Sequence, residues 1–154
     1  MAKKFELTAE FATNIFGKKL FRIKALMAFG DVKEGELGGY VEKEENLDHD
    51  GDAWVYGDAR VYGDAQVYGD AWVSVDSEYT TIKGFGRKCR TTTFFRLKNG
   101  EVGVRCGCFY GTIEQFREKV QETHRDSKYA KEYLMIADLM ELHFEHEEEK
   151  ECDG

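Results

Sequence analysis

Six cations fall within twenty residues that hold no acid: Lys83, Arg87, Lys88, Arg90, Arg96 and Lys98, in YTTIKGFGRKCRTTTFFRLK at positions 79–98. The centre of that stretch, KGFGRKCRTTT, has what a phosphate-bearing ligand needs. Gly84 and Gly86 let the chain gather around it. Lys83, Arg87, Lys88 and Arg90 supply charge-assisted donors and Thr91 and Thr92 supply hydroxyls, while Phe85 offers a ring for base stacking. The competing reading is a solvated basic loop, the usual fate of a charge run. A second stretch, VRCGCFYGT, precedes a helix whose unpaired first amides and positive dipole end favour an anion. Set beside the first, its Gly107, Phe109 and Thr112 complete a compact site for a nucleotide-like anion.

The thiols are weaker candidates. Cys89, Cys106, Cys108 and His124 would make a four-ligand zinc set, but Cys-x-Cys is an unusual structural-zinc spacing. A nucleophile reading pairs Cys106 or Cys108 with His124 and lacks a local third group to orient the imidazole. The expectation is reduced thiols in a tight turn, with no metal, no cofactor and no catalytic residue assigned.

The chain has 154 residues, enough for one cooperative domain with a real core. No apolar run reaches the roughly 20 residues of a membrane span, and MAKKFELTAEF lacks the hydrophobic stretch of a signal peptide, so a cytoplasmic protein with no membrane partner is expected. Of the net charge of −8, the tail EHEEEKECDG carries −5, and by composition positions 145–154 read as disordered. With the basic stretch set aside the body is about −9, which opposes a long nucleic acid as direct ligand.

What must position these residues is a repeat. GDAWVYGDARVYGDAQVYGDAWVS, at 51–74, writes Gly-Asp-Ala-x-Val-Tyr at a period of six. With Val55, Val61, Val67 and Val73 at the first place, Ala53, Ala59, Ala65, Ala71 and Ser77 fall at the fifth. Extended backwards, the register puts Leu37 at the first place and Val41 and Leu47 at the fifth, dividing positions 37–78 into seven hexads. Gly57, Gly63 and Gly69 permit tight turns, and Asp58, Asp64 and Asp70 bond to nearby amides as turn residues do. A calcium ladder of acids such as Asp52 over Asp70 would lack the several-oxygen shell that calcium needs. Trp72 lies 18 residues after Trp54, three hexads on, so the two should stack. Alternation sends both indoles outward, with Tyr56, Tyr62 and Tyr68 near the corners. This ladder is a candidate contact patch for a homo-oligomer, unless a flanking segment covers it.

The flanks read as caps, which a short solenoid requires. KKFELTAEF and KKLFRIKAL alternate around a turn at Gly17, predicting a hairpin within 1–36. TTTFFRL and VGVRC flank Asn99-Gly100, a second hairpin. Thr112 with Gln115 forms a capping box for a helix bearing Ile113, Phe116 and Val120. A second helix after Asp126 carries Ala130, Tyr133, Leu134, Ala137, Met140 and Phe144. Positions 79–144 are thus expected to be a ββαα region with a basic loop, and the fold class is mainly β with α.

An aliphatic first place and a small fifth place resemble the hexapeptide pattern of the left-handed parallel β-helix, in which three hexads make one triangular coil. The resemblance implies a short left-handed parallel β-helix of about two coils. GDVKEGELGGYVEKEENL with its GDA hexads, then IKGFGRKCRTTTFF and CGCFYGTIEQFREKVQETH, resembles small hexapeptide-repeat proteins of phages and prophages. That likeness implies a phage-associated accessory role, often one aimed at host defence, and the residues favour a non-enzymatic binding protein in the host cytoplasm. On this reading the basic segment sequesters a nucleotide-like anion. The alternative is an inhibitor that binds a host protein or nucleic-acid enzyme through the Trp ladder or the acidic face. The acyltransferase activity best known for hexapeptide repeats is the least supported, because of the four histidines only His49 falls in the repeat.

Overall fold

A computed structural model describes residues 3–75, 78–86, 90–107 and 109–145, with Arg90 as backbone only. Strands β1 (Phe5–Thr13), β2 (Lys19–Ala25) and β3 (Leu37–Val41) precede a 3-10 turn at Glu44–Asn46. Three short strands follow: β4 (Trp54–Val55), β5 (Arg60–Val61) and β6 (Trp72–Val73). The C-terminal half contains β7 (Tyr79–Phe85), β8 (Arg90–Arg96), β9 (Val102–Cys106), β10 (Phe109–Thr112), α1 (Ile113–His124) and α2 (Lys128–His143). The chain is mainly β with two helices, in a mixed sheet β1-β2-β3-β5, an antiparallel sheet β10-β9-β8-β7 and a parallel pair β4-β6.

The repeat makes the centre of the larger core. Val55, Val61, Val67 and Val73 are fully buried, and Ala53, Ala59, Ala65 and Ala71 lie beside them with at most 2% exposure. Gly57, Gly63 and Gly69 turn the chain at φ of 57°, 68° and 65°, a region that penalises any side chain. Trp54 pairs in parallel with Trp72, and Val55 with Val73, the 18-residue stacking the period predicts. The earlier pairs differ. Val41 lies beside Val61 and Leu47 bridges Val67, each 20 residues apart. Val41 and Leu47 therefore take the inward first place and not the fifth. Two extra residues in DHDGDA, between Leu47 and Trp54, shift the register, so the division of 37–53 into hexads is corrected. Gly38 and Gly39 let β3 lie flush on the repeat, since a Cβ there would stand 2.6 Å from the Val55 carbonyl and 2.5 Å from the Ala59 carbonyl.

Upstream polar groups satisfy the carbonyls that the turns expose. Lys4 Nζ donates to Gly51 at 3.2 Å and Ala53 at 2.7 Å, Tyr40 N to Ala59 at 2.9 Å, and Asn46 Nδ2 to Gly63 at 3.1 Å and Ala65 at 2.9 Å. The hairpin of β1 and β2, turned at Gly17 as expected, and the connection that follows it supply the cover: Phe5 of β1 and Phe29 beyond β2 meet the Trp54 ring edge-on, at 6.3 and 5.2 Å between centroids. Burying that indole contributes about 2–3 kcal/mol.

On the other side, the antiparallel sheet lies between the repeat and the helices. Phe95 and Leu97 face the repeat, while Phe94, Val102 and Val104 face Ile113, Phe116, Val120, Tyr133, Ile136 and Phe144 in a second core. The expected ββαα region is ββββαα. KGF ends a seven-residue strand, β7, paired with β8 through Ile82↔Thr92 and Phe85↔Arg90, and FYGT forms β10 against β9. Glycines in both stretches suggested loops; alternation of Ile82 with Lys83 and of Phe109 with Tyr110 between the two faces of the sheet wins. The capping box at Thr112 is present, with Gln115 N donating to Thr112 Oγ1 at 3.3 Å and Thr112 N to Gln115 Oε1 at 2.9 Å.

Candidate functional site

Strand register decides which residues can meet. Thr92 pairs with Cys106, and Phe109 with Cys106, so the start of β8 and the turn from β9 to β10 reach the same edge of the sheet. There Thr91 and Gly107, joined by Lys43, Glu45, Asp64, Ala65 and Gln66, line an open cleft of about 320 Å³ between sheet and repeat. Lys43 and Lys83 reach Asp64 from two sides, at 3.6 and 3.5 Å. Thr93 Oγ1 accepts from Gln66 N at 3.0 Å, and Arg105 covers the Tyr68 ring at 4.5 Å while donating to Gln66 Oε1 at 3.4 Å. The cleft is therefore held by the sheet on one side and a repeat corner on the other, with cations and amide groups at its mouth.

The expected site residues separate by face. Lys83, Thr91 and Gly107 belong to this edge. Phe85 is exposed at the end of β7, its carbonyl accepting from Tyr133 Oη at 3.0 Å. Thr92 points to the helices and donates to Cys106 Sγ at 3.2 Å, and Phe109 packs on Phe116 at 5.9 Å, so neither serves the cleft. Thr112 is removed as well: paired with Gly103, it lies three residues along β10 from the edge, roughly 10 Å away, and its hydroxyl caps its own helix. Arg87 and Lys88 lie outside the described residues, as does the side chain of Arg90. Strand alternation could have sorted Thr91 from Thr92 and added Arg105. Lys43 carried no such signal, because the two-residue insertion hid its corner, and the repeat marks Gln66 only as an outward place, alike at every corner.

Besides Lys83, two of the six cations are compensated by acids from outside the segment. Arg96 pairs with Glu78 at 3.1 Å and donates to the Phe144 carbonyl at 2.9 Å, and Lys98 pairs with Asp31 at 3.0 Å. Both tie elements together.

A larger cleft, of about 810 Å³, opens where Thr112 and Ile113 start α1 beside the end of α2. Glu101, Glu114, Asp138, Glu141 and Glu145 line it. Arg117 pairs with Glu114, Asp138 and Glu141 at 2.6, 2.9 and 3.1 Å. Five carboxylates against Arg117 leave this cleft acidic on balance, whereas in the smaller one Glu45 and Asp64 are met by Lys43 and Lys83.

The Trp ladder is a correction. Trp54 and Trp72 are in register, yet Trp54 is 0% exposed beneath the N-terminal hairpin and offers nothing to a second chain. Trp72 is half-buried and stacks on Tyr56 at 4.4 Å, Tyr68 lies under Arg105, and Tyr62 stays exposed. Of the thiol and imidazole groups, Cys106 is half-buried and His124 stacks on Tyr133 at 5.9 Å; Cys89, Cys108 and Cys152 lie outside the described residues. No helix among the described residues is long and apolar enough to cross a membrane. No protein-family model matches the chain, and no curated protein matches it in sequence.

Proposed function

We propose that the protein binds a small nucleotide-like anion without chemistry, and that it does so in the 320 Å³ cleft between Asp64–Gln66 and the β8/β9 edge of the sheet. The observation that supports this is the convergence of Lys43 and Lys83 on Asp64 beside Thr91 and Gly107; Arg87, Lys88 and Arg90 are close to Thr91 in sequence. A phosphate entering there exchanges two exposed ion pairs for charge-assisted bonds of about 1.5–3 kcal/mol each. The resemblance to phage hexapeptide-repeat proteins supports sequestration in the bacterial cytoplasm as the purpose, with the host's defence as the process opposed. It also supports reading the buried hexads as coils of a left-handed parallel β-helix.

Calorimetry against mono-, di- and cyclic nucleotides at low and high salt tests the reading. Binding should be micromolar for at least one member and fall into the millimolar range in Arg87→Ala/Arg90→Ala. No heat from any nucleotide with the unaltered protein overturns it.

A second reading, inhibition of a protein target, draws on a different place. Ile15 and Phe16, at the tip of the β1–β2 hairpin, are 92% and 79% exposed, an apolar finger of the kind that fills a pocket on a partner. Full biological activity of the double arginine variant, with loss of activity in Ile15→Ser/Phe16→Ser, would select it.

A further inference from the structure

Helix α2 is apolar on two faces. Ala130, Tyr133, Ile136, Ala137, Met140 and Phe144 face the second core. On the outside, Met135, Leu139 and Leu142 recur at the i, i+4, i+7 spacing of a single stripe, at 71%, 54% and 66% exposure. A surface helix normally keeps one polar face, so a second apolar stripe needs a cover. The charges beside it are graded along the axis: Lys131 and Lys128, the latter paired with Glu132 at 3.8 Å, lie at the start, and Glu145 lies just past the last turn.

We infer that this stripe is the interface of a two-fold dimer, in which α2 packs antiparallel against α2 of a second copy. The charge order selects that occupant. In an isologous pair residue i meets j where j meets i. Centred between Met135 and Leu139, the antiparallel arrangement sets Met135 against the partner's Leu139 twice over. It lays Leu142 along the stems of Glu132 and Lys131 of the partner, and brings Lys128 and Lys131 beside Glu145 of the partner at both ends. A parallel pair would set Glu145 against Glu145 and Lys131 against Lys131, and repel. Antiparallel helices also oppose their dipoles favourably. Asp138 and Glu141 are already engaged by Arg117, which leaves Glu145 for this contact. Because α2 lies on the far side of the sheet from the repeat, both copies of the anion cleft stay open, and this inference stands apart from what that cleft binds.

Sedimentation equilibrium on the full chain tests it. The expected mass is that of a dimer. Leu139→Lys and Met135→Lys should each raise the dissociation constant about 100-fold or more while leaving circular dichroism and melting of the monomer unchanged. Tyr62→Lys, on an unrelated surface, should leave it alone. Lys131→Glu and Glu145→Lys should each weaken the homodimer, and mixing the two variants should restore a heterodimer in which positions 131 and 145 are again opposite in sign at both ends. A monomer at all concentrations, or a dimer indifferent to Leu139→Lys and Met135→Lys, overturns the interface. Absence of rescue on mixing overturns the antiparallel register.

Discussion

Two corners of the repeat receive cations in different ways. At Gly51–Ala53, Lys4 is swallowed: 1% exposed, its ammonium donates to two carbonyls and covers the Phe29 ring at 4.6 Å. At Gly63–Ala65 the equivalent carbonyls are satisfied from within by the neutral amide of Asn46. The cations there, Lys43 and Lys83, stay outside on Asp64 and face a cleft. An interior donor that closes a corner by itself leaves nearby charge outside the fold. Where no such donor exists, the charge becomes part of the fold. The first corner should thus answer to substitution with stability, and the second with binding.

The sharpest break is on the closed side. Val61→Asp places an unpaired carboxylate among fully buried residues and should cost more than about 4 kcal/mol, leaving the protein unfolded at 37 °C. Trp54→Ala should cost about 3–5 kcal/mol, since Phe5, Phe29 and Ile23 cannot collapse into the space while β3 lies flush on the repeat. Trp72→Ala, half-exposed, should cost less than half as much in a urea melt. Equal costs for the two indoles would erase the distinction between a covered rung and an open one.

Lys4 gives the next effect, and a pH signature. Lys4→Met strands the carbonyls of Gly51 and Ala53 and should cost about 1–3 kcal/mol at pH 7. Burial pushes the ammonium down to about 8 from 10.5, against the pull of Asp48, Asp52 and Asp50. Between those values the unfolded chain holds the extra proton, so stability rises with pH across pH 8–10.5, by at most about 2 kcal/mol after screening; the penalty is fully present below pH 8. Tyr56 acts in the opposite sense. Burial raises its phenol to about 12, and because the unfolded chain ionises first, stability falls above pH 10. Melting temperatures of the two proteins should therefore differ in slope between pH 8 and 10, the variant being flatter. Parallel curves would mean that Lys4 is as well solvated as any surface lysine.

The contrast between the corners was only half legible in the sequence. Periodicity alone placed every inward valine from Val55 to Val73, because each first-place residue has one way to face in, and the helices followed from Thr112 with Gln115 and from their apolar spacing. What failed has three separate causes. A two-residue insertion in DHDGDA leaves composition untouched but moves Val41 and Leu47 to the inward place. The same offset hid the corner to which Lys43 belongs. In the basic segment, Gly84 and Gly86 outweighed the alternation of Thr80, Ile82 and Thr92. A strand was read as a loop, and residues on opposite faces of one sheet were gathered into one site. Trp54 was misplaced for a tertiary reason: an outward position on a repeat is outward only until another segment covers it.

The smallest effect on stability belongs to the open corner, and it separates binding from folding. Lys43→Ala/Lys83→Ala removes two exposed ion pairs, each worth under about 1 kcal/mol and offset by side-chain entropy, so the urea midpoint should move by less than about 0.5 kcal/mol equivalent. Asp64→Asn should be as quiet. Yet the two variants should part in calorimetry with a nucleotide that binds the unaltered protein. Losing both lysines removes donors and weakens it about tenfold or more. Losing only the Asp64 charge releases those lysines from a competing carboxylate and should tighten it several-fold, most visibly at low salt. If Asp64→Asn weakens binding as well, Asp64 serves to aim the lysines and not to compete for them, and the open corner is preorganised much as the closed one is.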